Sequence, residues 1–226
     1  MFHVEHVGII RDACSSQGIP LTEEALDHFQ KYQFSLIEWN KKINLISGND
    51  ELRIVTRHFL QSIGLLRVID FPVGCRVLDL GTGGGFPGMP LKIIRSDLEL
   101  VLVEATQKKV LFLKEVIEIL GLKKVVALPI RIESIGNSIK PVNIVVSRAV
   151  TNLKNLIRWS RTCLTRDDGY LLAIKGKSLD RELADLADDR RLCRSVSWKV
   201  IPYNPFPEQF VLDDSHVVVV KIINNK

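Results

Sequence analysis

Cysteine, aromatic residues and long apolar runs are all scarce in this chain of 226 residues. The four cysteines are scattered along the sequence, at Cys14, Cys75, Cys163 and Cys193. They form no C-x-x-C pair and have no neighbouring histidine at ligand spacing, so we expect neither a disulfide framework nor a zinc site. The cysteines are predicted to be buried thiols, and no metal is expected.

No apolar run approaches the length of a membrane span. The first ten residues, MFHVEHVGII, carry Glu5 and two histidines where a secretory signal would be basic and then apolar. We therefore expect a cytoplasmic protein with no membrane partner. The length suits one large domain or a domain with a small appendage, and 46% hydrophobic residues can fill a core.

Basic residues are unevenly distributed. Residues 1–70 hold 7 Lys and Arg against 9 Asp and Glu, whereas residues 71–226 hold 24 against 17. The net charge of +5 therefore belongs to the larger, C-terminal part. This excess permits a nucleic-acid partner, and it excludes a basic N-terminal arm as the way such a partner would be held.

The N-terminal part has a helical pattern. Thr22 can cap a helix whose first turn carries Glu23 and Glu24, which the helix dipole favours. Apolar residues recur at helical spacing up to Ile43, and a second helical stretch is predicted over about 51–68. We expect a small helical region over 1–72 and a second unit over 73–226.

From residue 76 onward, predicted strands and helices alternate, which is typical of crossover units around a parallel sheet. The strands are expected near 76–80, 98–104, 125–130, 142–147 and 169–175, with helices near 88–96, 107–120, 152–164 and 179–193. Two last strands, near 195–202 and 216–223, have no helix between them and should pair as an antiparallel hairpin at one edge. The predicted fold class is α/β, with a mostly parallel seven-stranded sheet.

A glycine-rich loop, RVLDLGTGGGFPG over 76–88, follows the first of these strands. Counted from Gly83, its glycines fit G-x-G-x-x-G, the dinucleotide fingerprint. Counted from Asp79, they fit D-x-G-x-G-x-G, which resembles motif I of the Rossmann-like S-adenosylmethionine-dependent methyltransferases. A carboxylate at Asp79 would repel a pyrophosphate but suits the ammonium of a methionine group, so the methyl donor is favoured over a dinucleotide. A glycine turn without a ligand is the remaining alternative.

Two further strand ends supply candidate donor contacts. Glu104 ends the second strand, where doubly wound folds place an acid that binds ribose hydroxyls. An exposed acid with no such role is the alternative. After the third strand, Ile132 could pack on the adenine ring and Glu133 could bind its edge, although Arg131-Ile132-Glu133 is also compatible with a surface loop.

The fourth and fifth strands end in candidate acceptor residues. Ser147-Arg148-Ala149 is not followed by an Asn/Asp-Pro-Pro-aromatic motif or a Pro-Cys nucleophile, which argues against exocyclic-amine and pyrimidine C5 methylation. A nitrogen with a free lone pair, such as guanine N7, would need no base, so its catalysis would consist mainly of positioning. Lys175 and Lys177, at the same sheet edge, could hold phosphates or could simply be solvated.

Taken together, these segments resemble the glucose-inhibited division protein B family, bacterial methyltransferases that modify guanine N7 in small-subunit ribosomal RNA. The matching segments run through most of the chain: WNKKINL (39–45), RHFLQS (57–62), LDLGTGGGFPGMPL (78–91), SRA (147–149) and AIKG (173–176). The resemblance implies a class I methyltransferase fold, S-adenosyl-L-methionine as cofactor, and 16S ribosomal RNA or the small subunit as partner. We expect a monomer.

The resemblance also assigns roles to particular residues. The implied donor-binding residues are Asp79, Gly81, Thr82, Gly83, Gly85, Phe86, Glu104, Ile132, Glu133 and Arg148. The implied catalytic or RNA-binding residues are Asn40, Arg57, His58, Arg131, Arg148 and Lys175. The chain departs from the family pattern at Gln61, where an acid is usual, and in a Pro-rich, acidic loop over 202–215. The alternatives are a methyltransferase of a protein or small molecule, or a non-catalytic RNA-binding assembly factor.

Overall fold

The computed structural model describes residues 2–136, 139–165, 169–207, 210 and 215–223. The N-terminal part is helical, with α1 (Phe2–Ser16), α2 (Glu23–Asn40) and an irregular helical segment over 48–67 that contains the single turn α3 (Gln61–Ile63). The remaining helices are α4 (Gly88–Ile94), α5 (Gln107–Ile119), α6 (Leu153–Ser160), α7 (Leu179–Ala187) and α8 (Arg190–Cys193). Thr22 caps α2 as the sequence predicts, because its side chain accepts a hydrogen bond from the Ala25 amide.

Seven strands form one sheet. They are β1 (Arg76–Leu80), β2 (Glu99–Val103), β3 (Val125–Leu128), β4 (Ile144–Arg148), β5 (Tyr170–Lys175), β6 (Val196–Pro202) and β7 (His216–Ile222), in the order β3-β2-β1-β4-β5-β7-β6. Strands β1 to β5 pair in parallel, and β7 pairs antiparallel with both β5 and β6. The predicted α/β class and C-terminal hairpin are confirmed, and the last strand, β7, lies inside the sheet while β6 forms its edge.

The continuous apolar runs in β2, β4 and β7 follow from burial on both faces of the sheet. One face packs against α4, α5 and the N-terminal helices, and the other packs against α6, α7 and α8. Residues of α2 and of the segment 48–67, including Phe29, Tyr32 and Phe59, belong to the same apolar cluster as Phe86 and Phe112. The N-terminal helices therefore share a core with the sheet, and the division at residue 72 stays a prediction.

Several element boundaries differ from the sequence-based expectations. Helix α1 is not predicted from the sequence. The predicted helix near 152–164 ends at Ser160, since Leu164 forms a parallel bridge with Val142. The predicted helix near 179–193 divides into α7 and α8, because the side chain of Asp189 accepts a hydrogen bond from the Leu192 amide and starts a new helix.

The segment predicted as one helix over 51–68 is irregular. It consists of a 3₁₀ turn (Gly48–Arg53), a π-helix (Ile54–Leu60), α3 and a second 3₁₀ turn (Gly64–Arg67). A π-helix widens the turn and frees backbone carbonyls from the usual ladder, and such turns are frequent at functional sites. The carbonyl of Arg57, within the π-helix, accepts a hydrogen bond from Arg148, 91 residues further along the chain.

All four cysteines are free thiols, and Cys14, Cys75 and Cys163 are buried while Cys193 is half-buried. Burial raises the pKa of the Cys14 thiol to about 12, so this group is an inert part of the core. No helix in the described ranges is both long enough and apolar enough to cross a bilayer.

Candidate active site

The site lies where the order of the sheet reverses. From β1 the chain builds outward through β2 and β3, and then returns to start β4 on the other side of β1. Open α/β sheets bind ligands in the crevice outside the carboxyl ends of the strands at such a point. The glycine loop follows β1 there, Glu104 follows β2, and Arg148 ends β4.

Asp79 is buried beneath the glycine loop and holds it in place. Its Oδ2 accepts hydrogen bonds from the Thr82 hydroxyl (2.6 Å) and the Gly88 amide (2.8 Å). Its Oδ1 is buried and accepts no hydrogen bond from any described residue. Burial raises the pKa of the Asp79 carboxyl to about 7, against the opposing effect of the two hydrogen bonds. The predicted donor-binding residues Asp79 and Thr82 are thus brought together, with one carboxylate oxygen left without a donor.

Two loop glycines have different reasons to lack a side chain. Gly83 has a φ of +57°, and a Cβ atom there would project into open space. Gly85 has a φ of +99°, and a Cβ atom there would collide with the Tyr32 hydroxyl and with Met89. Gly83 therefore borders the space in which a ligand can approach the backbone, while Gly85 allows α2 and α4 to pack against the loop.

Glu104 is buried directly after β2 and is bound to the glycine loop. Its two carboxylate oxygens accept hydrogen bonds from the Gly83 amide (3.1 Å) and the Thr106 amide (2.8 Å). Ile132 is half-buried, and its Cδ1 lies close to Gly81, while Glu133 is exposed beside it. The structure therefore brings the ends of β1, β2 and β3 together around Gly83, as the sequence predicts, and these groups suit an adenosyl group with a ribose and an apolar-faced base.

A cleft of about 950 Å³ opens next to this loop, outside the ends of β4 and β5. Val150 lines this cleft and also packs over Gly81, so the cleft and the glycine loop adjoin at Val150. The cleft is lined by Asp50, Arg57, His58, Gln61, Arg148, Ala149, Val150, Thr151, Ile174, Lys175, Gly176, Lys177, Ser178, Glu182 and Ser215. Four of these residues are cationic and two are acidic, so the cleft suits an anionic partner.

Arg148 is the partly buried centre of this cleft. Its guanidinium donates to the Arg57 carbonyl (3.0 Å), to Oε1 of Gln61 (3.1 Å) and to Nδ1 of His58 (2.6 Å). It also lies over the Phe86 ring, 5.1 Å from the centroid. All three acceptors are neutral, and burial lowers the pKa of Arg148 to about 10, so the group stays cationic at neutral pH. The described residues accept three of its five N–H groups, so two have no acceptor among those residues.

His58 holds Arg148 as a neutral imidazole. A guanidinium can only donate, so Nδ1 of His58 must be the acceptor and the proton lies on Nε2. Nε2 is directed toward Asp50 at 3.7 Å, too far for a good hydrogen bond. Burial, followed by the charge of Arg148, lowers the pKa of the imidazole to about 2. His58 also stacks on Phe86, with centroids 4.8 Å apart.

Lys175 is in the cleft but is already paired. It is 5% exposed, and its ammonium contacts the Thr151 carbonyl at 2.5 Å and the Glu182 carboxylate at 2.7 Å. Glu182 also accepts a hydrogen bond from the Leu153 amide, so it ties α6 and α7 to the end of β5. Lys177, which is exposed, is the more accessible of the two lysines.

Two predicted residues lie outside the cleft. Asn40 accepts hydrogen bonds from the Leu45 and Ile46 amides and donates to Glu51, so it shapes the turn after α2. Arg131 is exposed next to the short turn that carries Ile132 and Glu133. The predictions for Asn40 and Arg131 as catalytic residues thus rest on the family resemblance alone.

Sequence reasoning missed Tyr32, which joins α2 to the glycine loop. Its hydroxyl donates to the Gly84 carbonyl, and its ring stacks with Phe86, with centroids 5.6 Å apart. It also missed the role of Tyr203, whose hydroxyl donates to the Gln61 carbonyl at 2.6 Å. Tyr203 and Phe206 are buried, so the aromatic part of the 202–215 loop is a packed turn; residues 208, 209 and 211–214 lie outside the described residues. No residue spacing in the sequence predicts the contact of Tyr32 with Gly84 or of Tyr203 with Gln61.

The sheet order, the reversal at β1 and β4 and the loop after β1 define a class I, Rossmann-like methyltransferase fold. A mutant of MtNAS in complex with S-adenosylmethionine has this fold, with a TM-score of 0.58 and 15% identity over 87% of this chain and 72% of that one. At such identity the likeness concerns the fold alone.

Sequence comparison identifies the family. A family model described as rRNA small subunit methyltransferase G, GidB, matches residues 25–203. Ribosomal RNA small subunit methyltransferase G from Desulforamulus reducens is 34% identical over 94% of this chain and 88% of its own length. The protein of the same name from Chlorobaculum tepidum is 34% identical over 94% of this chain and 97% of its own. The chain belongs to the rRNA small subunit methyltransferase G family, which confirms the resemblance stated from the motifs.

Proposed function

We propose that this protein transfers a methyl group from S-adenosylmethionine to N7 of a guanine in small-subunit ribosomal RNA. The observation that carries the proposal is the cationic cleft of about 950 Å³ beside the glycine loop, in a chain of this family. The bound donor would supply an electrophilic methyl group on a sulfonium. Gly83, Glu104, Ile132 and Glu133 would hold it, and Asp79 Oδ1 is a buried acceptor suited to the ammonium.

Guanine N7 has a lone pair and carries no proton, so its methylation requires no general base. This agrees with the state of His58, the one histidine among the described residues that line the cleft, because its Nδ1 is occupied by Arg148 and its pKa is lowered to about 2. The protein's contribution would be to orient the base, which can lower a barrier by several kcal/mol. Asn40 and Arg131 would not contact the base. Asn40 would shape the turn after α2, and Arg131 would support the turn that carries Ile132 and Glu133.

Arg148 would orient the base without touching the reacting atom. If it donated a hydrogen bond to N7, it would occupy the lone pair that must attack. Its two remaining N–H groups are therefore proposed to contact the guanine O6 or a neighbouring phosphate. Lys177 would hold a flanking phosphate, and Arg57 would do so from its ion pair with Asp50. Lys175 would fix the cleft wall through Glu182.

The proposal is tested with 16S ribosomal RNA from a strain that lacks the gene. Incubation with the purified protein and S-adenosylmethionine is expected to produce one 7-methylguanosine per RNA, located by nuclease mapping and mass spectrometry. Methylation of another guanine atom would contradict the N7 assignment. Donor binding without any RNA methylation, on free RNA or on small subunits, would favour the non-catalytic alternative.

A further inference from the structure

A second basic surface lies away from the cleft. A cavity of about 530 Å³ is lined by Arg161, Arg190, Arg191, Arg194 and Ser195. All four arginines are exposed. Four guanidinium groups around one hollow repel one another unless an anion lies between them, so their convergence favours a polyanionic partner.

The acid that directly precedes α8 is paired with other residues. Asp189, the acid next to this cluster in the chain, pairs with Arg158 and Lys154. Within the described ranges, no carboxylate forms an ion pair with Arg161, Arg190 or Arg191. Among the described residues, Arg161, Arg190 and Arg191 therefore present positive charge that no carboxylate neutralises by direct pairing.

An aromatic side chain lies on β6, the strand that directly follows α8 in the chain. Val196, Trp198 and Val200 alternate along β6 and point to one face of the sheet, and Val196 packs in the same cluster as Leu192 of α8. Trp198 is therefore on the α8 side, with 36% of its surface exposed. Arginines beside a partly exposed indole are the combination that binds phosphates and stacks an unpaired base.

The surface is at the opposite edge of the sheet from the donor loop. Arg161 ends the crossover that leads back to the start of β5, and α8 directly precedes the start of β6, which runs parallel to β1. One strand length, about 20 Å, separates this edge from the carboxyl ends of the strands. A ligand that fills the cleft cannot reach the arginines unless it is an extended macromolecule.

We propose that the arginine cluster and Trp198 form a second RNA-binding surface, which holds phosphates and an unpaired base of the ribosomal RNA about 20 Å from the methylated guanine. The proposal rests on the proposed function and deepens it, because it makes the substrate an extended RNA and not a short loop. A protein partner with an acidic surface is the alternative that the test must separate.

The test compares R190E/R191E with the matched control K114E/K123E, which removes the same charge from exposed lysines on the α5 side of the sheet. The substrates are protein-free 16S ribosomal RNA, small subunits and a short stem-loop that contains the methylated guanine. For 16S RNA we expect R190E/R191E to raise KM about tenfold with kcat unchanged. We also expect the slope of log KM against log salt concentration to fall by about 1 to 2. The stem-loop KM and S-adenosylhomocysteine affinity should not change.

W198A is expected to weaken 16S RNA binding about tenfold without changing its salt dependence, because stacking is not ionic, and W198F should recover part of the affinity. Equal behaviour of R190E/R191E and K114E/K123E on 16S RNA would overturn the surface. So would a defect seen on small subunits but absent on protein-free RNA, since that pattern identifies a protein partner. R190Q/R191Q replaces the glutamate variant if the latter melts earlier than the control.

Failure of the proposed function has a different signature. In that case the wild-type protein methylates none of the RNAs, and direct filter binding of 16S RNA to the same variants still decides the surface. If the wild-type protein methylates the RNA and R190E/R191E has the same KM for 16S RNA as the control variant, the second RNA-binding surface is refuted. The proposed function is then unaffected.

Discussion

In the proposed function, Gly83 is the residue where a side chain would compete with the donor. Its positive φ strains any other residue, a Cβ atom there would project into open space, and its amide donates a hydrogen bond to Glu104. Gly74 has a similar φ of +69°, also faces open space, and lies at the opposite end of β1. We expect Gly83→Val and Gly74→Val each to lose about 1–3 kcal/mol of stability from backbone strain. Only Gly83→Val should abolish S-adenosylhomocysteine binding in calorimetry; equal affinity in the two variants would place the donor elsewhere.

Asp79 makes stability depend on pH in an unusual direction. Its folded pKa of about 7 lies above its ordinary 3.8, so the folded chain binds more protons than the unfolded chain between these values. The stabilisation is therefore complete below pH 4 and is lost as the pH rises through 7, by at most about 4 kcal/mol.

Asp79→Asn removes this titration and keeps an amide oxygen for the Thr82 and Gly88 hydrogen bonds. Relative to wild type, we expect the variant's free energy of unfolding to increase from pH 4 to pH 8, as measured by urea titration. Parallel pH profiles would show that Asp79 is ionised in the fold. Weaker donor binding by the variant at pH 8 would support a carboxylate contact with the ammonium.

A substitution at Arg148 should separate donor binding from methyl transfer to RNA. Among the described residues, its hydrogen bonds and ring contact are with Arg57 and His58 of the π-helix, with Gln61 at the start of α3 and with Phe86, and not with Gly83 or Glu104. For Arg148→Ala we expect unchanged S-adenosylhomocysteine affinity and a fall in kcat/KM for RNA of about thirtyfold or more, the effect of losing about 2 kcal/mol or more of charged hydrogen bonding. Loss of donor binding as well would assign Arg148 a structural role.

At the scale of elements, two buried tyrosines tie the N-terminal helices to the two sides of the site. Tyr32 on α2 contacts the Gly84 carbonyl, and Tyr203 after β6 contacts the Gln61 carbonyl next to Arg148. Tyr32→Phe and Tyr203→Phe delete the same hydroxyl, so each should cost about 1–2 kcal/mol of stability.

The functional effects of these two variants should differ. Tyr32→Phe is expected to weaken donor binding severalfold, because the loop loses its anchor, while Tyr203→Phe should raise the KM for RNA and leave donor affinity unchanged. The two measurements are calorimetry with S-adenosylhomocysteine and initial rates with 16S RNA. The same phenotype in both variants would show that α2 does not position the loop.

These contacts explain how far sequence reasoning reaches. The apolar runs of β1 to β5, the glycine loop and Glu104 are local patterns, and the structure has them at the expected sheet edge. Gln61 stood out in the sequence only as a departure, but its side chain accepts from Arg148, 87 residues away. The π-helix and the Tyr32 contact depend on packing between distant segments, for which a single sequence carries no periodic signal.

At the scale of the whole molecule, the question is whether residues 1–72 form a unit of their own. Aromatic contacts cross the proposed boundary: Phe59 and Tyr32 lie against Phe86, and Trp39 and Tyr32 lie against Phe112. Each such side chain contributes about 1.5–3 kcal/mol when it is buried. Removing the N-terminal helices would expose this face of the sheet, and the loss would be comparable with the 5–15 kcal/mol that typically separates folded from unfolded chains.

We therefore expect the intact chain to unfold in one cooperative transition, with equal calorimetric and van't Hoff enthalpies. Residues 73–226 expressed alone should bind no S-adenosylhomocysteine and show no cooperative melting, because the glycine loop loses Tyr32 and the apolar face loses its cover. A cooperatively folding fragment would contradict the shared core. If that fragment also bound the donor, the N-terminal helices would serve only the RNA side, through Gln61, His58 and Arg57, and α2 would have no part in shaping the donor loop.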